Sequence, residues 1–330
     1  MSYQIDYKKS HENNYLDKDL IEYKKNKKPK SVGNPYHYMG LPIGDMRDNM
    51  GCINIDLSKD IETSHYQLEN VSFYAYNPLT LVNNAPCIFY IHGGGFIGGS
   101  TKTLENPCKY LSEKNQCLVI NIDYRLAPEN PYPIPMNDCL DVINYVYNDS
   151  SFIFDRKKIF IAGDSAGGNL ALACLIKDYE IHQYKRFAGG MIYYPVVDIT
   201  SKKEYWQYDE TLFNGYKDEM VKACYESLKG LEDMIDKLYV QSKGELMNPY
   251  LSPLYLDDFT IFPDLLVMYA EYDYLRLQTE AFVKKAKASG INVEDYCFLG
   301  INHAFVDLLG IIEQSQKSLD IVSQFIEKRK

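Results

Sequence analysis

The segment Phe160-Ile161-Ala162-Gly163-Asp164-Ser165-Ala166-Gly167-Gly168 sets one serine two residues after a glycine and two before another. An apolar run, Lys158 to Ala162, leads into it and a helix-forming run of small residues leads out, so the G-x-S-x-G pattern stands at a strand-to-helix turn. Glycines at those offsets let the backbone pass tightly against its neighbours, and a residue in a strained conformation then lifts its hydroxyl above the sheet edge. The free N–H groups of the following helix point at the same spot. Such a serine is placed to be a nucleophile, although a tight turn with a serine N-cap would use the same residues.

Other groups bear on that choice. His92-Gly93-Gly94-Gly95-Phe96 directly follows the apolar run Cys87 to Ile91, and a glycine-rich loop there can present backbone N–H groups to a developing oxyanion, together with that of Ala166. A serine nucleophile needs a base, and the base an orienting acid, in the chain order Ser, Asp or Glu, His. His303 follows the apolar strand Tyr296 to Leu299, whereas His182 falls in a polar segment at the far end of the helix after Ser165 and reads as a surface residue. For the acid, Asp273 comes just after the strand Leu265 to Ala270, at the strand end where open α/β sheets meet ligands. Asp264 precedes that strand and is expected at the opposite edge; Glu271 is the rival.

These residues need a frame. Val71 to Tyr76 reads as a strand, and Cys87–Ile91, Cys117–Ile122, Ile159–Ala162, Met191–Tyr194 and Leu265–Tyr269 are short apolar runs of the kind buried on both faces of a parallel sheet. Helical patterns lie between them, at Met136, Leu140, Ile143 and Tyr147, and at Leu170 to Ile176. The alternation predicts an α/β fold, a mostly parallel sheet with helices on both faces. Residues 1–50 lack a sustained period and read as an N-terminal arm or cap element; residues 51–330 form the catalytic domain, in which 200–250 is too long for an ordinary connection and reads as a cap insertion.

Composition narrows the function classes. The chain has 330 residues, 46% of them hydrophobic, and a formal charge of −10, which argues against nucleic acid as a partner. The basic run Tyr23 to Lys30 opposes that trend and reads as a solvated arm. Eight cysteines without a C-x-x-C pair read as reduced, mostly buried thiols, and the six histidines show no metal-ligand spacing. No run is long enough for a membrane span, and the N-terminus lacks the apolar core of a signal peptide, so a soluble cytoplasmic protein is expected. A homo-oligomer is compatible with the sequence.

With HGGGF, GDSAGG and the late Asp and His in hand, the chain resembles the hormone-sensitive-lipase-like branch of the α/β-hydrolases, a group of esterases and lipases. Asp123-Tyr124-Arg125-Leu126-Ala127-Pro128-Glu129 also matches that branch's Y-R-L-A-P-E segment. The resemblance covers about residues 70–330. It implies Ser165 as nucleophile, Asp273 as acid, His303 as base, Gly94, Gly95 and Ala166 as oxyanion donors, His92 and Gly93 as shaping residues of the loop, and no cofactor. The sequence departs from the branch after the acid: where D-P-L-x-D-E is usual, it reads Asp273-Tyr274-Leu275-Arg276-Leu277-Gln278.

The reading is therefore a serine carboxylester hydrolase acting on small-molecule esters through an acyl-enzyme, with short acyl groups expected. Charges at Lys202, Lys203, Glu204, Asp209 and Glu210 interrupt the aromatic cluster Tyr205, Trp206 and Tyr208, whereas a lid made for lipid aggregates would show a sustained apolar face. Two alternatives stand beside it. Gly93-Gly94-Gly95-Phe96-Ile97-Gly98 satisfies G-x-G-x-x-G after a strand, with Asp123 downstream, as in a dinucleotide-dependent oxidoreductase. The same branch also resembles plant hormone receptors that keep the pocket but have lost the catalytic histidine; here His303 is present.

Overall fold

The computed structural model describes residues 3–5, 15–28, 33–200, 203–206, 209–242 and 245–329. Its strands, β1 (Tyr3–Ile5), β2 (Ile61–Gln67), β3 (Ser72–Pro78), β4 (Cys87–Ile91), β5 (Leu118–Asp123), β6 (Ile159–Asp164), β7 (Gly189–Tyr193), β8 (Asp264–Tyr272) and β9 (Val293–Asn302), form one sheet. Their order is β1-β9-β8-β7-β6-β4-β5-β3-β2. Among the described residues only β3 runs against the others, since its pairings with β2 and β5 are antiparallel and the remaining ones are parallel. The expected mostly parallel sheet is therefore what forms.

The helices are α1 (Lys18–Asn26), α2 (Ile43–Asn49), α3 (Glu105–Asn115), α4 (Ile134–Asn148), α5 (Ala166–His182), α6 (Lys203–Trp206), α7 (Glu219–Tyr225), α8 (Leu231–Ile235), α9 (Arg276–Ala288) and α10 (Glu313–Glu327). Strand β4 shows why both faces of the sheet are covered. Cys87, Phe89 and Ile91 pack into the core that holds α4, α5 and α9, while Ile88 and Tyr90, one position out of phase, pack into the core that holds α3 and α10. A period of two with every position buried is the physical content of its continuous apolar run.

Residues from near the start of the sequence reach the C-terminal end of β9. Asp17 caps α1, its Oδ1 accepting the N–H groups of Asp19 and Leu20, and its own N–H donates to the Gly300 carbonyl at 2.8 Å. Its other carboxylate oxygen accepts from Gln314 Nε2 at 2.9 Å. Of the basic run, Lys24 and Lys25 close the last turn of α1, where positive charge suits the helix dipole, and Lys27 and Lys28 are exposed; Pro29 and Lys30 lie outside the described residues. Between β7 and β8 the chain breaks into short pieces, α6 to α8, 3₁₀ turns at Glu210–Leu212, Pro253–Tyr255 and Phe259–Ile261, and a π turn at Asp236–Val240.

Candidate active site

Ser165 joins β6 to α5 at φ 56° and ψ −118°, a conformation that costs a non-glycine residue about 1–3 kcal/mol. The flanking glycines are what make the turn passable. A Cβ on Gly163 would overlap the Gly167 carbonyl, and one on Gly167 would overlap the Ile91 carbonyl. The backbone of Ser165 is held on both sides: its N–H donates to Tyr193 O at 2.9 Å, and its carbonyl accepts from Asn169 N at 3.1 Å and Val196 N at 3.2 Å. Its hydroxyl makes no capping bond to α5, so the N-cap alternative does not describe it.

That hydroxyl faces His303. The Oγ of Ser165 lies 2.9 Å from His303 Nε2, and His303 Nδ1 lies 2.8 Å from Asp273 Oδ2. Asp273 is fully buried just past β8, and its second oxygen accepts the Leu275 N–H at 2.8 Å, which fixes the carboxylate plane. The Tyr194 ring packs at 4.5 Å from the His303 ring. The rival acid is turned elsewhere, since Glu271 Oε2 accepts the Gly300 N–H at 2.9 Å. Asp264 lies at the opposite end of β8, bonded to Arg329 and Asn292, and His182 is at the C-terminus of α5, 3.9 Å from Asp178.

The glycine loop follows β4 with Gly94 at φ 128° and Gly95 at φ 61°. A Cβ on Gly94 would overlap the Gly98 carbonyl, so only glycine fits there. Among the described residues the N–H groups of Gly94 and Gly95 donate to no protein acceptor. Ala166, the first residue of α5, has no carbonyl one turn back to receive its N–H. His92 is buried, stacked on Tyr124 at 4.3 Å with Nδ1 2.8 Å from the Gly93 carbonyl, and burial pushes its imidazole below the usual range. Gly93 donates to Asp164 Oδ1 at 2.9 Å. Burial, reinforced by the charge of Asp307, pushes the Asp164 carboxyl well above the usual carboxylate range.

The Y-R-L-A-P-E segment lies beside this loop. Arg125 forks onto buried Asp138, with Nη2 to Oδ1 at 2.6 Å and Nε to Oδ2 at 2.9 Å, and Ala127 N–H donates to Phe96 O at 3.0 Å. Glu129 pairs with Arg47 of α2. No motif marked Arg47, because its partners lie far along the chain.

The altered loop after Asp273 has its own supports. Tyr274, in place of the usual proline, donates its hydroxyl to the Trp206 carbonyl at 2.8 Å. Gln278, in place of the last acidic residue, is fully buried, and its one carbonyl oxygen accepts both Val197 N–H, at 2.7 Å, and Asp198 N–H, at 3.0 Å. An amide oxygen thus does an acceptor's work without a buried charge. Gln278→Ala is expected to lower unfolding stability by about 1–3 kcal/mol for each N–H left without a partner, with Gln278→Glu recovering part of the loss. Urea unfolding would check this, and an alanine variant within about 0.5 kcal/mol of the parent, the scatter of an inconsequential surface change, would contradict it.

A cavity of about 340 Å³ opens over Ser165, Gly94, Gly95 and His303. Its apolar wall comes from Met46 and Met50 of the N-terminal segment, Leu104, and Leu228, Leu231 and Met234 of the stretch between β7 and β8. Thr103, Asp307 and Lys229 add polar edges. Motif reading missed these wall residues because they come from segments without a motif. The oxidoreductase alternative fails on local structure: the loop 93–98 turns back on itself, with Gly98 N–H on Gly94 O at 3.0 Å, and the next helix, α3, begins only at Glu105, so no helix N-terminus opens at the glycines.

This strand-serine-helix turn, at the edge of a mostly parallel sheet and beside a glycine loop, defines an α/β-hydrolase. The alpha/beta hydrolase fold family model matches residues 88–307, and the chain belongs to that family, as its resemblance to the hormone-sensitive-lipase-like branch implies. An arylesterase of Saccharolobus solfataricus is 30% identical over 268 residues, 80% of this chain and 78% of its own. An ethyl acetate hydrolase of Pseudomonas putida is 25% identical over 247 residues, 73% of this chain and 72% of its own. The solved structure of a thermophilic and thermostable carboxylesterase cloned from a metagenomic library is 29% identical with a TM-score of 0.72, covering 83% of this chain and 90% of that one.

Proposed function

We propose that this chain is a serine carboxylester hydrolase in which Ser165 attacks the ester carbonyl, His303 is the base, Asp273 orients it, and the N–H groups of Gly94, Gly95 and Ala166 receive the oxyanion. The hydrolase class follows from the family and from its esterase relatives. One observation carries the assignment of roles: the unbroken chain Ser165 Oγ, His303 Nε2, His303 Nδ1, Asp273 Oδ2, with links of 2.9 and 2.8 Å, beside two glycine N–H groups that no described acceptor claims.

The steps follow from that geometry. As Oγ attacks, its proton passes to His303 Nε2, and the imidazolium that forms is stabilised by the buried Asp273 carboxylate on Nδ1. The carbonyl oxygen becomes an oxyanion held by the loop and α5 N–H groups, each worth about 3–4 kcal/mol in such sites. His303 returns its proton to the departing alcohol, leaving an acyl-Ser165 ester. Water, deprotonated by His303, then releases the acid and restores the serine.

We read the segment between β7 and β8, with the N-terminal residues, as the cap over this site, and the substrates as soluble esters with acyl groups of about two to four carbons, each further methylene being worth only about 0.8 kcal/mol if buried and costing more in a full pocket. The cavity is at the small end for a binding site, and of the cap aromatics Trp206 is buried against Tyr274 and Tyr205 is half-buried, while Glu204, Asp209 and Glu210 are exposed. Lys202 and Tyr208 of that cluster lie outside the described residues, as does the side chain of Lys203. In a series of nitrophenyl esters from acetate to palmitate, run beside a panel of acetylated sugars, kcat/KM is expected to peak at short chains. A maximum at about ten carbons or more, or a jump in rate on emulsified substrate, would make the protein a lipase instead.

A further inference from the structure

The turn after the three glycines is held from outside by the N-terminal segment. Arg47, in the last turn of α2, donates from Nε to the Ile97 carbonyl at 2.6 Å and from Nη2 to the Ala127 carbonyl at 2.8 Å. It also forks onto Glu129, Nη1 to Oε1 at 2.9 Å and Nη2 to Oε2 at 2.6 Å. The Tyr36 ring lies 5.5 Å from the guanidinium carbon, and Met50, three residues on, packs its sulfur against Gly98, where a Cβ would overlap it. Three separate stretches of chain therefore meet at one side chain.

What Arg47 grips is the far end of the oxyanion loop. The Ile97 and Gly98 N–H groups fold back onto the Gly94 carbonyl at 3.2 and 3.0 Å. Because the peptide is planar and trans, the Gly94 carbonyl and the Gly95 N–H point in opposite directions. Fixing one fixes the other. The Ile97 carbonyl is anchored by Arg47, and the Phe96 carbonyl by Ala127 N–H at 3.0 Å, whose own carbonyl Arg47 also holds. Arg47 thus ties the turn to the N-terminal segment directly, and glycines at φ 128° and 61° cannot stiffen themselves.

Given the hydrolase reading above, on which this rests, we propose that Arg47 is a positioning residue for the oxyanion hole: by holding Ile97 and Ala127 it sets the direction of the Gly95 N–H, so its loss lowers turnover rather than substrate affinity. The chemistry calls for arginine. A planar guanidinium reaches two carbonyls and a carboxylate at fixed angles, which a lysine ammonium cannot do. Arg47 holds the Glu129 carboxyl down at about 2, so the fork stays charged through the neutral range. With side chains 25% and 44% exposed, the pair itself adds little stability. Geometry at the loop is where it matters, since displacements of about 1 Å in such sites cost on the order of a hundredfold in rate.

The test uses Arg47→Ala and Arg47→Lys in the full chain, assayed on nitrophenyl acetate and with a trifluoromethyl ketone inhibitor. The Ser165 oxygen adds to the ketone carbon, its proton passes to His303, and the resulting oxyanion sits where the transition state's would. Arg47→Ala is expected to lower kcat by about 10- to 100-fold with KM within about twofold, and to weaken the ketone by the same factor as kcat/KM. The lysine variant should fall between, and added guanidinium ion should restore part of the alanine variant's kcat. Should Arg47→Ala fail to fold, Glu129→Gln, which frees the fork but leaves both carbonyl bonds, is expected to show a smaller loss of the same kind. A folded variant with unchanged kcat, or with raised KM and unchanged ketone affinity, overturns the proposal alone. A parent enzyme inert to the ester and indifferent to the ketone overturns the hydrolase reading and this proposal together.

Discussion

Ser165→Ala is expected to remove ester hydrolysis almost completely, with kcat falling on the order of 10⁵- to 10⁶-fold, as when the nucleophile is deleted from a serine-histidine unit. The size of the effect reflects cooperation: without Oγ the His303–Asp273 pair has no proton to accept, and the loop N–H groups can stabilise only attack by water. The fold should survive, because the alanine inherits the same φ and ψ and the same backbone bonds to Tyr193, Asn169 and Val196. The strain is unchanged, so the melting temperature should stay within a few degrees of the parent, roughly the shift of a small stability change. An organophosphonate probe should label the parent once and the variant not at all. Labelling that persists in the alanine variant would move the nucleophile elsewhere.

Asp273→Asn should be the next largest effect, about 10³- to 10⁴-fold in kcat. An asparagine fits the cavity and can still accept the Leu275 N–H through its oxygen, so the local turn is kept. Its NH₂ then faces His303 Nδ1, which selects the tautomer protonated on Nε2, and that nitrogen donates toward Ser165 when it must accept. The comparison with Glu271→Gln makes the experiment decisive. Glu271 serves the Gly300 N–H, 2.9 Å away, and a glutamine oxygen can do the same, so less than about a tenfold loss is expected there. If the two variants exchange their effects, the acid has been misassigned.

Much of this was open to reading in the chain, and the reason is physical. Strand β4 was legible to the residue because every position from Cys87 to Ile91 is buried, which leaves an uninterrupted apolar run. The elbow was legible because backbone overlaps at Gly163 and Gly167 leave no room for a side chain. Strand β2 was not, since Ile61–Gln67 lies at the sheet's edge, half exposed, and its residues IETSHYQ carry little apolar signal. Nor was Arg47: its bonds go to carbonyls 50 and 80 residues away, and a carbonyl has no residue type to read. The pocket wall is illegible for a similar reason, because Met50 and Met234 meet only after the fold has brought segments without a motif together.

The bond from Asp17 to Gly300, with the bond from Gln314 to Asp17 across 297 residues of chain, bears on how the molecule comes into being. Strand β1 pairs with β9, Tyr3 opposite Tyr296, and the Asp17 bond reaches Gly300, three residues before His303. At about 5–20 residues per second the N-terminal segment waits tens of seconds for these partners to leave the ribosome, and pairings of such separation are the slow ones to close. The growing chain can already hold Ser165 on its elbow while His303, the base proposed above, has yet to be made. Under the roles proposed above, the serine gains its base only once residues near 300 have been made and packed, so its reactivity arrives late in synthesis rather than with the elbow itself.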